Sequence, residues 1–414
     1  MVKSDIASQW RVLSGENGWD GLLQPLNLDL RRYIIHYGQR AGSVGDLYNQ
    51  NKHGEFPKEK FFAEAGLEKG NDFKYSVTHY IHAGSDIVEP AWFGFVAVTT
   101  DEGKAVLGRR DILIAWRGTI HYTEWINDLI ADPKSASELF GIGTEAKVHS
   151  GFLSLYTGTR SNSAVDNLSA RDQVRDALRE LMDKYKDEEI SITVTGFSLG
   201  GALATLNAMD IVANGYNKPS STLLGANNPC MVTTFTFGSP QVGDSGFKQL
   251  FKKLVDHHHL RLLRIRNAND PVHKWPFCTL THVGKKLTVY SNESPYLKYK
   301  WFFGRTLECT DNPPPNDYHP NLVTEEEIIA NRGLLINWVA DSVSAHNMDV
   351  YLHGIAGVQE GASGFHLEVD LDIALVNKYL DRLKDEYEIP DHWWEGENRK
   401  RMVQEDNGHW KVRG

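Results

Sequence analysis

Cysteine is almost missing from this sequence: Cys230, Cys278 and Cys309 are the only three in 414 residues. An odd, sparse set without C-x-x-C spacing excludes a disulfide framework and a thiolate metal site, and points to a reducing compartment. Basic charge is also short, with 44 Lys and Arg against 54 Asp and Glu and a net charge of -10. Such a chain is ill-suited to neutralise a phosphate backbone, so nucleic acid is excluded as a partner. Nor does net charge draw it to an anionic membrane; contact with lipid has to come from local apolar surface. No apolar run approaches the length of a transmembrane helix. The first residues, Met1 to Gly21, lack both the apolar core of a signal peptide and the Arg-rich character of a transit peptide. A cytoplasmic location is the expectation. Internal repeats and low-complexity tracts are absent, which excludes a solenoid.

What remains is ordinary globular composition, 41% hydrophobic and 24% charged, enough for a sizeable core. Strand and helix patterns alternate. Trp92 to Val98, Asp111 to Trp116, Val232 to Phe237 and Leu260 to Arg266 read as strands. Ile190, Ile192 and Val194 alternate with Ser191, Thr193 and Thr195, another strand pattern. Helices are expected from Leu28 toward Gly42, around Val174 to Tyr185, and from Ala202 to Ala213. Two more are expected near Thr324 to Ser344 and Leu371 to Glu386, with Pro390 ending the last. This order predicts an α/β fold: a mostly parallel sheet with helices on both faces. Residues 1–70 read as an N-terminal extension, 71–355 as the main domain and 356–414 as a C-terminal extension.

One motif carries chemistry. Gly196-Phe197-Ser198-Leu199-Gly200 matches G-x-S-x-G. The match is weak alone, since Gly and Ser are common, but its context is specific. An alternating strand runs into it and a small-residue helix, Gly201-Ala202-Leu203-Ala204, runs out of it. At such a sharp turn the Ser backbone is strained and its hydroxyl projects from the sheet edge. Side chains two residues either side would collide, so both positions require Gly. The following helix aims its N-terminal amides at the reacting carbonyl. The competing reading is a strand–helix turn used only for packing.

A serine nucleophile needs a base, and the base needs a carboxylate to set its tautomer. In α/β-hydrolases these follow in the order Ser, Asp or Glu, His. Asp270 lies in the loop after the strand ending near Arg266, where α/β active sites form. Asp244 and Asp256 do not directly follow strands and are weaker candidates. The base is open on spacing: His273, His282, His319, His346, His353, His366, His392 and His409 all follow Asp270. His346 heads a segment between two helices, and His353 is its main rival. His257-His258-His259 reads as a solvated loop without the extra ligand of a metal site. No metal or cofactor is expected. Backbone amides of Leu199, after the nucleophile, and Thr119, after the strand ending at Trp116, are the candidate oxyanion donors. Tyr122, Trp125, Ile126 and Leu129 fall with Ile120 on one face of a short helix. That face suits either a lid opening at a lipid surface or an ordinary amphipathic helix packed on the core.

The motifs Ala115-Trp116-Arg117-Gly118-Thr119, Val148-His149-Ser150-Gly151-Phe152, Thr195 to Ala204 and Phe237-Gly238-Ser239-Pro240 resemble those of class 3 lipases, in the same order. Leu26 to Gly38, Leu375-Val376-Asn377-Lys378 and Ile389-Pro390-Asp391-His392-Trp393-Trp394 are similar to the plant phospholipase A1 group, type II branch. The resemblance spans nearly the whole chain. It implies an α/β-hydrolase fold and a triad of Ser198, Asp270 and His346, the last followed five residues on by Tyr351. It also implies oxyanion amides at Thr119 and Leu199. The implied activity is lipid acyl hydrolysis of glycerolipids (phospholipid, galactolipid or acylglycerol) at a lipid surface, with transient membrane contact. Removal of the sn-1 chain is the leading form. A mono- or diacylglycerol lipase, another carboxylesterase, and a non-enzymatic lipase-like scaffold are the alternatives. Two positions depart from the family. Phe197 stands where His is frequent, and altered packing alone is expected. His273 stands where Pro is usual, which changes the loop holding Asp270 and leaves a second His near it.

Overall fold

Alternation along the strands decides how this chain layers. The computed structural model describes residues 5–50, 56–84, 91–119, 132–159, 168–219, 229–276, 280–298, 344–358 and 364–414. Its main elements are α1 (Ile6–Leu13), α2 (Leu28–Gln50), β1 (Tyr75–Ala83), β2 (Ala91–Thr99), β3 (Arg110–Trp116), α3 (Ser150–Thr157) and α4 (Ala170–Lys184). They continue with β4 (Ile190–Phe197), α5 (Leu199–Ala213), β5 (Met231–Phe237), α6 (Ser245–His258), β6 (Leu260–Asn267), β7 (Lys285–Val289) and α7 (Met348–Ala356). The seven strands stand in chain order across one sheet. β1, β2 and β3 pair antiparallel, and β3 to β7 pair parallel. The expected α/β architecture is therefore present, with an antiparallel edge.

Successive residues of a strand point to opposite faces. Ile112, Ile114 and Trp116 join the apolar layer of one face, which contains α3, α4, α5 and α6 residues. Leu113 and Ala115 join the layer of the other face, with α2 and α7. Burial on both faces explains why β3 reads as a continuous apolar run. β4 alternates for a different reason from a half-solvated strand. Its Ser191, Thr193 and Thr195 are buried as deeply as its Ile and Val.

The Ser191 and Thr193 hydroxyls face a buried charge. Asp111 and Arg109 are both fully buried. Ser191 donates to Asp111 Oδ1 at 2.6 Å and Thr193 at 2.8 Å. Tyr37 of α2 and Tyr75 of β1 donate to Asp111 Oδ2 at 2.9 and 2.7 Å. Arg109 lies 3.4 Å from Asp111, bonds to Ser191, Tyr33 and Tyr37, and rests over the Trp10 ring of α1. A buried ion pair is tolerated only when its remaining donors and acceptors are satisfied, as here.

Two segments differ from expectation. The stretch after His346 folds as α7, a helix whose nine residues are all buried. Asn347 caps it by accepting from the Val350 amide at 3.1 Å. Its apolar residues surround the axis, so no amphipathic stripe announces it. The expected helix from Leu371 to Glu386 is absent. Instead 3-10 turns span Ile373–Asn377 and Asp385–Tyr387. The Asn377 side chain accepts from the amides of Arg382 and Leu383 and donates to the Ile389 carbonyl, which closes the chain into a turn. Leu383 then bridges to Leu297, and Trp393 and Trp394 are buried. The helix expected near Thr324 to Ser344 lies, Ser344 apart, outside the described residues.

Lys378 pins this C-terminal segment to the domain. Its buried ammonium lies 2.5 Å from Asp46 of α2 and 3.8 Å from Asp349 of α7. Two carboxylates share one cation. Burial pushes the Asp349 carboxyl up to about 7, against the pull of Lys378 and with the help of Asp46 and Asp372. Between the ordinary value of 3.8 and about 7 the folded chain then holds a proton that the unfolded chain has released. Stability from this site is complete below that window and is lost as pH rises through it. The Asp349→Asn variant should therefore lose less thermal stability than wild type between pH ~5 and pH ~7, read as melting midpoints at both.

Candidate active site

The turn at Ser198 is set by backbone crowding. β4 ends at Phe197, α5 begins at Leu199, and Ser198 between them has φ 57° and ψ -124°. This conformation is strained for a residue with a Cβ and persists only where its surroundings dictate it. A Cβ on Gly196 would lie 2.1 Å from the Gly200 carbonyl oxygen, and one on Gly200 would lie 2.3 Å from that of Trp116. Both glycines of the motif are thus required by contact, as its sequence implied. The Ser198 amide donates to the Phe237 carbonyl at 2.9 Å, tying the turn to β5. Leu199 is the first residue of α5, whose leading amides have no acceptor within the helix.

Asp270 and His346 meet. Asp270 lies three residues beyond the end of β6, and its amide bonds back to Asn267 at 3.1 Å. His346 Nδ1 is 2.7 Å from Asp270 Oδ2, and both side chains are buried. The Tyr351 hydroxyl donates to the same Oδ2, and the Val272 amide donates to Oδ1 at 2.8 Å. Burial, reinforced by the charge of Asp270, holds the Tyr351 hydroxyl well above its usual range, so it stays a donor. Asn267, which sequence reasoning did not single out, donates to the Ala345 carbonyl at 3.1 Å and to Ser291 at 2.8 Å. It ties the end of β6 to the residue before His346. Its position at a strand end beside Asp270 was the available signal.

The rival groups have other duties. His353 bonds to Ser294 at 2.7 Å and stacks on Phe365, and burial pushes it down to about 4. His273 is buried, its Nε2 lies 3.5 Å from Arg266 Nη1, and burial pushes it down to about 3. His366, His392 and His409 pair with Glu368, Glu395 and Asp370. Asp244 caps α6 by accepting from the Phe247 amide, and Asp256 lies within that helix. His319 is outside the described residues, as are Tyr122, Trp125, Ile126 and Leu129 of the lid reading.

Arg117-Gly118-Thr119 leaves β3 close to Ser198. A Cβ on Gly118 would sit 3.3 Å from Ser198 Cβ, which measures how closely this loop approaches. The Arg117 guanidinium holds the loop. It donates to the Trp92 carbonyl at 3.0 Å and lies over Tyr48 and Phe93 at 4.1 and 4.2 Å. A cleft of about 430 Å³ runs past Thr119, Phe197 and His346. Ile35, Met348 and Leu352 are among its apolar lining residues, and Asp46, Asp349 and Lys378 among its charged ones. Among the described residues no cluster of His, Cys, Asp and Glu is fit to hold a metal. No described helix is long and apolar enough to cross a membrane.

Gly238, with φ +56°, backs the Asp270–His346 pair. A Cβ there would lie 3.0 Å from Asp270 Oδ2, His346 Cε1 and the Tyr351 hydroxyl. Gly238→Ala should cost about 1–2 kcal/mol from the left-handed backbone alone. It should also displace the carboxylate–imidazole hydrogen bond. The low-field imidazole proton resonance reports this, and a signal identical to wild type would show that the pocket absorbs a methyl group.

The model of Lipase (class 3) matches residues 113–280. Phospholipase A1-IIbeta of Arabidopsis thaliana is 39% identical, the match covering 99% of this chain and 94% of that protein. Phospholipase A1-II 6 of Oryza sativa subsp. japonica is 41% identical over 98% of this chain and 95% of that protein. Among solved structures, the Rhizomucor miehei triacylglyceride lipase matches at 21% identity, covering 62% of this chain and 80% of that one, with a TM-score of 0.43. The chain belongs to the class 3 lipase family, in its plant phospholipase A1-II group.

Proposed function

We propose that this protein is a serine-dependent lipid acyl hydrolase that removes the sn-1 fatty acid of glycerolipids, as a phospholipase A1. The observation that carries the reading is the 2.7 Å bond from His346 Nδ1 to Asp270 Oδ2, in a site that also holds the strained Ser198 turn. Ser198 Oγ attacks the ester carbonyl while His346 Nε2 takes its proton. Asp270 holds the imidazole in the required tautomer and stabilises the imidazolium. The Leu199 and Thr119 amides receive the oxyanion; one such donor is typically worth about 3 kcal/mol. His346 then returns the proton to the leaving alcohol. Water repeats the sequence on the acyl-enzyme and frees the fatty acid. No step calls for a metal or cofactor.

The cleft beside Thr119 and His346 supports a lipid substrate, since apolar residues such as Ile35, Met348 and Leu352 line it. Transient contact with a lipid surface belongs to the same reading, drawn from the apolar sequence of Tyr122, Trp125, Ile126 and Leu129. The division into 1–70, 71–355 and 356–414 is proposed as one catalytic unit with two packed extensions. It is supported by the apolar layer that α2, α7 and Leu371 share. A cytoplasmic location is proposed from the sparse cysteines, of which Cys230 is a free thiol.

Fatty-acid release by wild type and Ser198→Ala tests the proposal. The substrates are phosphatidylcholine, a galactolipid, and mono-, di- and triacylglycerol, with different chains at sn-1 and sn-2. Wild type should release sn-1 chains, and the variant should be slower by at least ~10³-fold. Equal inactivity of both proteins on every lipid would replace the enzyme with a lipase-like scaffold.

A further inference from the structure

Phe197 stands between Gly196 and the nucleophile, at a position that contributes no group to the proton transfers. From sequence it is a packing residue. Its actual neighbour is the base. The Phe197 ring lies on the imidazole of His346, with centroids 4.6 Å apart and planes inclined by 28°. Its edge also meets Tyr351, at 6.0 Å and 74°. Tyr351 is the residue whose hydroxyl bonds to Asp270. One ring therefore contacts both side chains bonded to Asp270 Oδ2, while its backbone adjoins Ser198.

The physical consequence has two parts. The bond from Nδ1 to Asp270 fixes one direction of the imidazole and leaves the ring free to rock about it. A flat neighbour across the ring face removes that freedom, so Nε2 is held on one line. In addition, an aromatic face carries negative potential and attracts a cation stacked upon it. Along the reaction His346 becomes an imidazolium as Ser198 gives up its proton, so this attraction is stronger in the transition state than in the ground state.

We propose that Phe197 is a positioning residue of the reaction: its ring sets the plane of the His346 imidazole and stabilises the imidazolium formed as Ser198 attacks. The proposal rests on His346 being the base.

The test compares wild type with Phe197→Leu, which keeps apolar bulk but has no π face, and Phe197→Tyr, which keeps the face. Steady-state kinetics are run across pH on a soluble fatty-acid ester. For Phe197→Leu, kcat should fall by about three- to thirtyfold with KM nearly unchanged. The acid limb of kcat/KM should move to lower pH by roughly half a unit, because the protonated ring has lost a stabilising neighbour. Phe197→Tyr should restore both quantities to within about twofold of wild type. A Leu variant with wild-type kcat and pH profile overturns the proposal. So does a Tyr variant that loses as much as Leu, including the case in which Leu fails to fold. If wild type itself is as inactive as Ser198→Ala, it is the assignment of the base that fails, and the arms separate the two outcomes.

Discussion

Ser198 is held in a backbone conformation that a residue with a Cβ avoids, at a cost of about 1–3 kcal/mol. The surrounding sheet has to impose it. Trp116 of β3 pairs with Gly196 of β4, and Phe197 of β4 pairs with Phe237 of β5. That register brings the Trp116 carbonyl against Gly200 and gives the Ser198 amide its acceptor in Phe237. The same strand ends deliver the rest of the site. Gly118 leaves β3 against Ser198, Gly238 leaves β5 against Asp270 and His346, and Asp270 follows β6. A slip of one residue would carry every side chain of a strand to the opposite face, and Ser191 and Thr193 would leave Asp111.

His346 is not on the sheet at all, and its placement depends on the chain ends. It precedes α7, and α7 lies against α2, where Leu352 and Met348 approach Gly38. Arg31 of α2 donates to the Ile355 and Gly357 carbonyls at 2.5 and 2.6 Å, closing the C-terminal end of α7 where a cation is favoured. Lys378 adds a second tie, from the C-terminal segment to both α2 and α7. Helix α2 is in turn seated on the sheet through Tyr37 and the buried Asp111. The N-terminal and C-terminal segments thus brace the helix that presents the imidazole. They lie outside the part of the chain matched by the class 3 lipase model.

Within this frame the residue before Ser198 acquires an unexpected neighbour. Sequence logic treats the variable position of G-x-S-x-G as filler because it offers no proton and no amide. Chain order separates Phe197 from His346 by 149 positions, and only the tertiary fold stacks one ring on the other. The His346 imidazole is therefore met by a carboxylate at one nitrogen and by an aromatic face across its plane.

By itself the sequence determined the elements whose physics is local. Period-two and period-3.6 patterns located five of the seven sheet strands, all but β1 and β7, and the helices α2, α4 and α5, because each buried face must be apolar. The glycines flanking Ser198 announced the turn, because no other residue fits there. Asp270 was legible because loops after parallel strands face the site. Tertiary structure decided what distance along the chain conceals. Spacing left His346 and His353 as rivals, and only the bond to Asp270 and the burial of His353 against Ser294 separate them. α7 was hidden because a helix buried all round has no stripe. The stretch from Leu371 to Glu386 looked helical, yet Asn377 and the buried Lys378 find partners that a helix would deny them. Local pattern records which face is buried. Which charge or ring waits there is settled when remote segments meet.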